Sequence, residues 1–372
     1  MPLTVARDTD LRNAPQGPGC IEIGLVNNMP DAALKSTEAQ FAALLDAAAG
    51  DLAVRLRLFA LPLIARSERG AQHLDASYLG LRDFWDSRLD ALIVTGTEPR
   101  APALADEPYW PALAELIEWA EQHTISTIWS CLAAHAAVFQ LDGIGRHPLG
   151  DKRFGVFDCV KAAEHPLTQG LGSQFPIPHS RWNELREDDL RAGGYAVLTR
   201  SPAAGVDMFA RQGRSLFVFF QGHPEYDAAS LLGEYRRDLG RFLRRERATC
   251  PALPHGCFDA ATSALLTGFA ARAQADRRED ILAEFPLASA EQGARHGWRD
   301  SAAQIYRNWL AFLAAQKAER ADRRAVAPPR ARRPDALRAA DHPRVSYIDR
   351  RRASDSPAAF GGARDRRVPG QS

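Results

Sequence analysis

Short apolar runs separated by longer helical patterns constrain this chain more than any other feature. Ile21–Val26 and Leu92–Val94 are too short for helices and stop at turn residues, Asn27-Asn28-Met29-Pro30 and Thr95-Gly96-Thr97. Leu52–Leu61 adds a strand in which Val54, Leu56 and Leu58 alternate with Arg55 and Arg57, and Ile125–Trp129 adds another. Between these runs the period changes. Phe41, Leu44, Leu45 and Ala48, introduced by Ser36-Thr37-Glu38 and closed by Gly50, read as a helix. Trp110, Leu113, Leu116, Ile117 and Ala120 place Tyr109–Glu121 in a second helix, and Leu132–Phe139 forms a third. Regular strand–helix alternation predicts an α/β fold: an open, mostly parallel sheet with helices on both faces.

Further along, Ala196–Thr199, Gly205–Phe209 and Leu216–Phe220 are closely spaced strand-like segments, which predicts a hairpin-rich edge. Ala228–Arg244 and Ala302–Gln316 read as helices, the latter amphipathic through Ile305, Trp309, Leu310 and Phe312. Residues 1–19 are unpatterned and read as a loosely held arm, and 20–318 as one domain. Residues 319–372, rich in Arg, Ala, Pro, Asp and Ser, read as a disordered basic tail. From Arg320 onward the chain carries 14 basic against 6 acidic side chains, whereas the remainder carries 33 against 40. The folded body is therefore mildly acidic, which argues against a nucleic-acid surface.

The N-terminus lacks the charged start and apolar stretch of a secretory signal. No run approaches the roughly 18 apolar residues of a membrane helix. The five cysteines, Cys20, Cys131, Cys159, Cys250 and Cys257, form no CxxC pair. These features predict a cytoplasmic protein with reduced thiols and no membrane partner.

One of those thiols stands apart. The strand Ile125–Trp129 runs through Ser130 directly into Cys131, and Leu132, Ala133 and Ala134 carry the chain into a helix. Such an elbow lifts a side chain above the carboxyl edge of a sheet. The helix N-terminus places backbone N–H groups and a partial positive charge beside the sulfur, which favours thiolate and can hold an oxyanion. A buried structural cysteine is the competing reading. A second segment, Phe217–Phe220 followed by Gln221-Gly222-His223-Pro224-Glu225-Tyr226, ends an aromatic strand on a turn that carries His223 and Glu225. Histidine is suited to moving protons near neutrality, and a neighbouring carboxylate can hold its tautomer. An isolated His-x-Glu pair is usually a surface feature; beside a cysteine elbow it completes a Cys131–His223–Glu225 triad.

With these motifs in view, the chain resembles the homoserine O-succinyltransferase (homoserine transsuccinylase) family from about Ile21 to Gln316. The resemblance rests on Asn28-Met29-Pro30, Thr37-Glu38-Ala39-Gln40-Phe41 and Leu92-Ile93-Val94-Thr95-Gly96. It continues through Asp151-Lys152-Arg153-Phe154-Gly155-Val156, Pro178-His179-Ser180-Arg181, Gly222-His223-Pro224-Glu225-Tyr226-Asp227 and Glu234-Tyr235-Arg236-Arg237-Asp238. It implies a flavodoxin-like, class I glutamine amidotransferase-like fold, a homodimer, and acyl transfer from acyl-CoA to the hydroxyl of homoserine in methionine biosynthesis. It also implies a ping-pong course in which Cys131 carries the acyl group, His223 is the base and Glu225 orients it. The family's substrate-contacting residues fall on Lys152, Ser180 and Arg237. Arginine suits the carboxylate of an amino acid because it offers a bidentate fork. No metal and no cofactor are expected beyond the acyl-CoA co-substrate.

The chain departs from the family at several positions. Leu132 stands where the family commonly has Trp, and Ala133 and His135 stand where Gly and Gln are usual. His135, four residues into the helix, should point away from the sulfur and pack. The family's loop lysine has no secure counterpart, Lys35 being the nearest. Arg100 occupies the position where Gly accompanies succinyl transfer and Glu accompanies acetyl transfer. A cation there suits the free carboxylate of succinyl, which predicts a succinyl preference over acetyl; the alternative is an Arg100 facing solvent or the CoA phosphates. A glutamine amidotransferase-like amidase, a serine O-acyltransferase and a non-catalytic ligand-binding protein are the competing functional readings.

Overall fold

The computed structural model describes residues 3–6 and 19–326. Its main sheet has eight strands, β1 (Leu3–Ala6), β2 (Cys20–Val26), β3 (Ala53–Phe59), β4 (Ala91–Val94), β5 (Ser126–Ser130), β8 (Ala196–Val197), β11 (Met208–Gln212) and β12 (Leu216–Phe220). They lie in the order β1-β3-β2-β4-β5-β12-β11-β8. The strands from β1 to β12 pair in parallel, while β11 is antiparallel to both β12 and β8. The open, mostly parallel sheet and its hairpin edge follow the alternation in the sequence. Four more strands, β6 (His147–Lys161), β7 (Phe175–Glu184), β9 (Thr199–Ser201) and β10 (Gly205–Val206), form a smaller antiparallel sheet in the order β10-β9-β6-β7.

Helices cover both faces because the pleat sends alternate side chains to opposite sides. Ile23, Leu25, Leu56 and Ile128 pack with Phe41 and Leu45 of the helix Asp31–Ala49 and with Trp309 and Leu310 of the helix Arg299–Val326. Leu92, Val94, Trp129 and Phe219 pack on the other side, with Leu113, Leu116 and Ile117 of Trp110–His123 and Val138 of Leu132–Asp142. A third apolar cluster joins Leu232, Tyr235 and Leu239 of the helix Ser230–Leu243 to Leu266 and Phe269 of Ala260–Ala275.

The structure corrects three boundaries. Within the arm expected over residues 1–19, Leu3–Ala6 is an edge strand, each residue paired with one of Val54–Arg57. The helix expected from Ser36 starts at Asp31, just after Pro30, whose extended backbone leads into it. The last helix runs past Ala318 to Val326, so it enters the segment read as a tail. The rest of that tail, residues 327–372, lies outside the described residues. No described helix is long and apolar enough to cross a membrane.

Candidate active site

Cys131 stands where β5 turns into the helix Leu132–Asp142, with φ +52° and ψ −112°, a backbone region that side chains rarely occupy. The elbow is held in that strained shape. The Cys131 amide donates to Phe220 O across to β12 at 2.8 Å, and Ala134 and His135 N–H both donate to Cys131 O. Close by is the Thr95-Gly96 turn after β4. A Cβ on Gly96 would lie 2.6 Å from Leu132 Cβ and 3.0 Å from Leu132 N, so only glycine permits this approach. The first amides of the helix, those of Leu132 and Ala133, have no carbonyl one turn earlier to bond and remain available to an oxyanion.

The end of β12 supplies the histidine. His223 Nδ1 lies 2.9 Å from Glu225 Oε1, so the Nδ1 proton is donated to the carboxylate and Nε2 is left for the sulfur. Burial alone would lower the His223 pKa. The charges of Cys131 and Glu225 and hydrogen bonds to both outweigh it and hold the imidazole pKa well above the usual histidine range. The Tyr226 ring stacks on the imidazole, centroids 4.2 Å apart. His223 N–H donates to Pro178 O at 2.8 Å, tying the turn to β7. Gly222 is tightly enclosed: a Cβ there would lie 2.5 Å from Asp207 Oδ1, 2.7 Å from Ile177 Cγ2 and 3.0 Å from Pro178 O. Gly222→Ala is therefore expected to lower stability by about 1–3 kcal/mol and to reduce turnover by displacing His223. Thermal unfolding and kcat measure both, and unchanged values for the variant would contradict this account of the turn.

Cys131, His223, Glu225, Lys152, Ser180 and Arg237 all line one cavity of about 640 Å³ at the carboxyl edge of the main sheet. They come from the turn after β5, the turn after β12, β6, β7 and the helix Ser230–Leu243. Within it Lys152 Nζ donates to Glu234 Oε2 at 3.1 Å and to Asp238 Oδ2 at 3.2 Å. Ser180 Oγ also donates to Glu234 Oε2, and Tyr226 OH donates to Glu234 Oε1 at 2.7 Å. Arg237 forks onto Asp238 Oδ1 at 3.1 and 3.2 Å. Burial would raise the Glu234 pKa, but Lys152, the Ser180 and Tyr226 hydroxyls and Arg237 together hold it below the ordinary carboxylate value. Glu234 and Asp238 were not singled out from the sequence. The signal was present in Glu234-Tyr235-Arg236-Arg237-Asp238, because residues four apart share one helix face.

Other expected residues fall elsewhere. Arg100 does not line this cavity. It is exposed and borders a smaller one of about 290 Å³, which shares Pro30, Thr97 and Glu98 with the first. Lys35 is exposed on the helix Asp31–Ala49 and does not line the cavity either. His135 is buried and turned to packing, with Nε2 3.1 Å from Gln221 Oε1. Burial lowers its pKa to about 3, so it is neutral, and it ties the elbow helix to the residue before Gly222-His223.

The fold and this constellation define an α/β protein that presents a cysteine, a histidine and a glutamate together at the carboxyl edge of a parallel sheet. The sequence signature of homoserine O-succinyltransferases matches residues 5–320. The homoserine O-succinyltransferase of Rhodopseudomonas palustris is 53% identical over 80% of this chain and 89% of that protein. The enzyme of the same name from Bradyrhizobium japonicum is 48% identical over 79% of this chain and 90% of that protein. The chain belongs to the homoserine O-succinyltransferase family, a family of acyltransferases. A solved glutamine amidotransferase from Thermotoga maritima is 11% identical, with a TM-score of 0.42, covering 79% of this chain and 98% of that one. One from Methylobacillus flagellatus is 14% identical, with a TM-score of 0.44, covering 79% and 95%.

Proposed function

We propose that the chain is a cytoplasmic homoserine O-succinyltransferase that works by ping-pong transfer through a Cys131 thioester. The observation that carries this reading is the meeting of Cys131 and the Glu225-bound His223 in a cavity that also holds Lys152, Ser180 and Arg237. With imidazolium and thiolate paired, the sulfur attacks the carbonyl carbon of succinyl-CoA. The tetrahedral oxyanion is held by the helix N-terminal amides and collapses by expelling the CoA thiolate, which takes the His223 proton. Acylation removes the sulfur's charge, one of the main influences raising the His223 pKa. The imidazole is then neutral and accepts the homoserine hydroxyl proton as that oxygen attacks the thioester. Collapse of the second intermediate releases O-succinylhomoserine and restores the thiolate–imidazolium pair.

The cluster beyond the triad suits a zwitterion. Arg237 and Lys152 offer positive charge to a carboxylate, while Glu234 and Asp238 offer negative charge to an ammonium group. The position of Arg100 outside the cavity weighs against its meeting a succinyl carboxylate, so Arg100→Glu is expected to leave the succinyl-to-acetyl preference unchanged. A fall in that ratio, measured from kcat/KM for the two acyl-CoAs, would give Arg100 the role. The reaction as a whole is tested by incubating the protein with succinyl-CoA. Mass spectrometry should find one succinyl group on Cys131, and added homoserine should discharge it faster than serine or water. Glutamine hydrolysis without any such adduct would overturn the proposal.

A further inference from the structure

Directly beneath the turn that carries His223 lies a fully buried polar cluster that the reaction above does not use. His179 of β7, Asp207 just before β11 and Cys159 of β6 have ligand atoms within 4.8 Å of one another. His179 Nε2 and Asp207 Oδ1 are 3.5 Å apart, and neither makes a well-formed hydrogen bond among the described residues. Unsatisfied polar atoms at such depth are rare enough to require a reason.

A bound metal is one reason, and the surroundings argue against it. Arg181 Nε donates to His179 Nδ1 at 3.4 Å, and the same guanidinium donates to Asn183 O at 2.8 Å and to Ala204 O. With Nδ1 accepting, the ring proton sits on Nε2, which lies 3.5 Å from Asp207 Oδ1. A metal on Nε2 would force a proton onto Nδ1, head to head with the Arg181 N–H. The charge of Arg181 also opposes a second cation.

The remaining contacts of Asp207 lead to the catalytic turn. Its backbone O accepts from Gln221 N at 2.8 Å, its N–H donates to Thr199 O at 3.0 Å, and its Oδ2 accepts from Thr199 Oγ1 at 2.8 Å. The side of Gly222 is turned to Oδ1 so closely that a Cβ would stand 2.5 Å away. Asp207 thus lies under Gln221 and Gly222 while Pro178 O holds His223 N–H from β7.

We propose that Asp207, backed by the Nε2–H of His179, is a positioning residue: it fixes the Gln221–Gly222 backbone and keeps a negative charge beneath the imidazolium of His223. This rests on the proposed role of His223 as base. The groups facing Asp207 are Cys159 from β6, His179 and Arg181 from β7 and His223 from the turn; His223 also faces Cys131 and Glu225. Burial raises the Asp207 pKa to about 6, against the lowering influence of Thr199, Arg181, the Gly222 amide and His223. Asp207 is therefore ionised wherever His223 would lose its proton on the alkaline side. Removing its charge takes away support for the imidazolium, so the imidazole deprotonates at lower pH.

The test is Asp207→Asn in the full-length enzyme. The alkaline limb of kcat/KM is expected to move to lower pH by about one unit, with kcat about tenfold lower and both KM values within about twofold of wild type. The variant should still take up one succinyl group on Cys131, which separates failure of this inference from failure of the thioester mechanism. A wild-type pH profile and kcat in a folded Asp207→Asn protein would overturn it. Should the variant not fold, nitrogen-15 NMR of the wild-type enzyme decides. A neutral His179 protonated on Nε2 across the neutral range supports the proposal. A ring protonated on Nδ1, or stoichiometric zinc in the purified protein, overturns it.

Discussion

Cys131→Ala is expected to abolish acyl transfer, with kcat falling by about 10⁴-fold or more, because under the proposed mechanism it removes the nucleophile and leaves only binding and oxyanion stabilisation. The substitution shortens a partly exposed side chain at a position whose backbone is already strained, so thermal unfolding should shift little. Steady-state kinetics with succinyl-CoA and homoserine measure the first effect. Mass spectrometry after exposure to succinyl-CoA should find no adduct on the variant. Substantial turnover by Cys131→Ala would mean that the acyl group passes directly from CoA to the acceptor, with the cysteine a bystander.

The second large effect belongs to Glu225. Glu225→Gln retains the shape of the side chain but removes the charge that accepts the Nδ1 proton of His223 at 2.9 Å. Loss of the orienting carboxylate in comparable triads lowers turnover by up to about 10⁴-fold, and a fall of about 10²- to 10⁴-fold is expected here. The sign of the pH effect follows from the contacts. Glu225 helps to raise the His223 pKa, so its neutralisation lowers that pKa and moves the alkaline limb of the rate profile to lower pH. A variant with a wild-type profile would show that the carboxylate neither orients nor charges the imidazole. Both Glu225→Gln and Asp207→Asn move the same limb. Glu225→Gln should cause the larger loss of kcat, because Glu225 is hydrogen-bonded to the imidazole whereas the Asp207 carboxylate bonds Thr199 and reaches His223 only by its charge.

The parts of this architecture set by periodicity were legible in the sequence. The buried runs of β2, β4 and β5 are too short for helices, and the helices Asp31–Ala49 and Trp110–His123 between them each bury one apolar face. The cysteine elbow and the His223–Glu225 turn were legible for a related reason: both follow strands at the carboxyl edge of the same sheet, so topology alone brings them close. What periodicity could not reveal was the small sheet of β6, β7, β9 and β10. In β6 exposed and half-buried residues follow each other irregularly, and its pairing with β7 shifts register between Pro148 and Arg153. The edge strand β1 escaped notice because four residues acquire strand character only by docking on β3. Arg100 was placed by its spacing from Gly96, and the fold instead turns that loop toward a neighbouring cavity, its backbone N–H donating to Glu107 Oε1 at 2.5 Å.

The ion pairs among Lys152, Glu234, Arg237 and Asp238 make the pocket its own counter-ion. Under the proposed reaction, an incoming amino acid exchanges partners within an existing salt lattice instead of neutralising bare charge. Such an exchange yields little net Coulomb energy, because every bond gained replaces one given up. Selectivity at this locus then comes from whether a guest's ammonium and carboxylate are spaced to re-form the lattice, and from how far its hydroxyl reaches toward the sulfur.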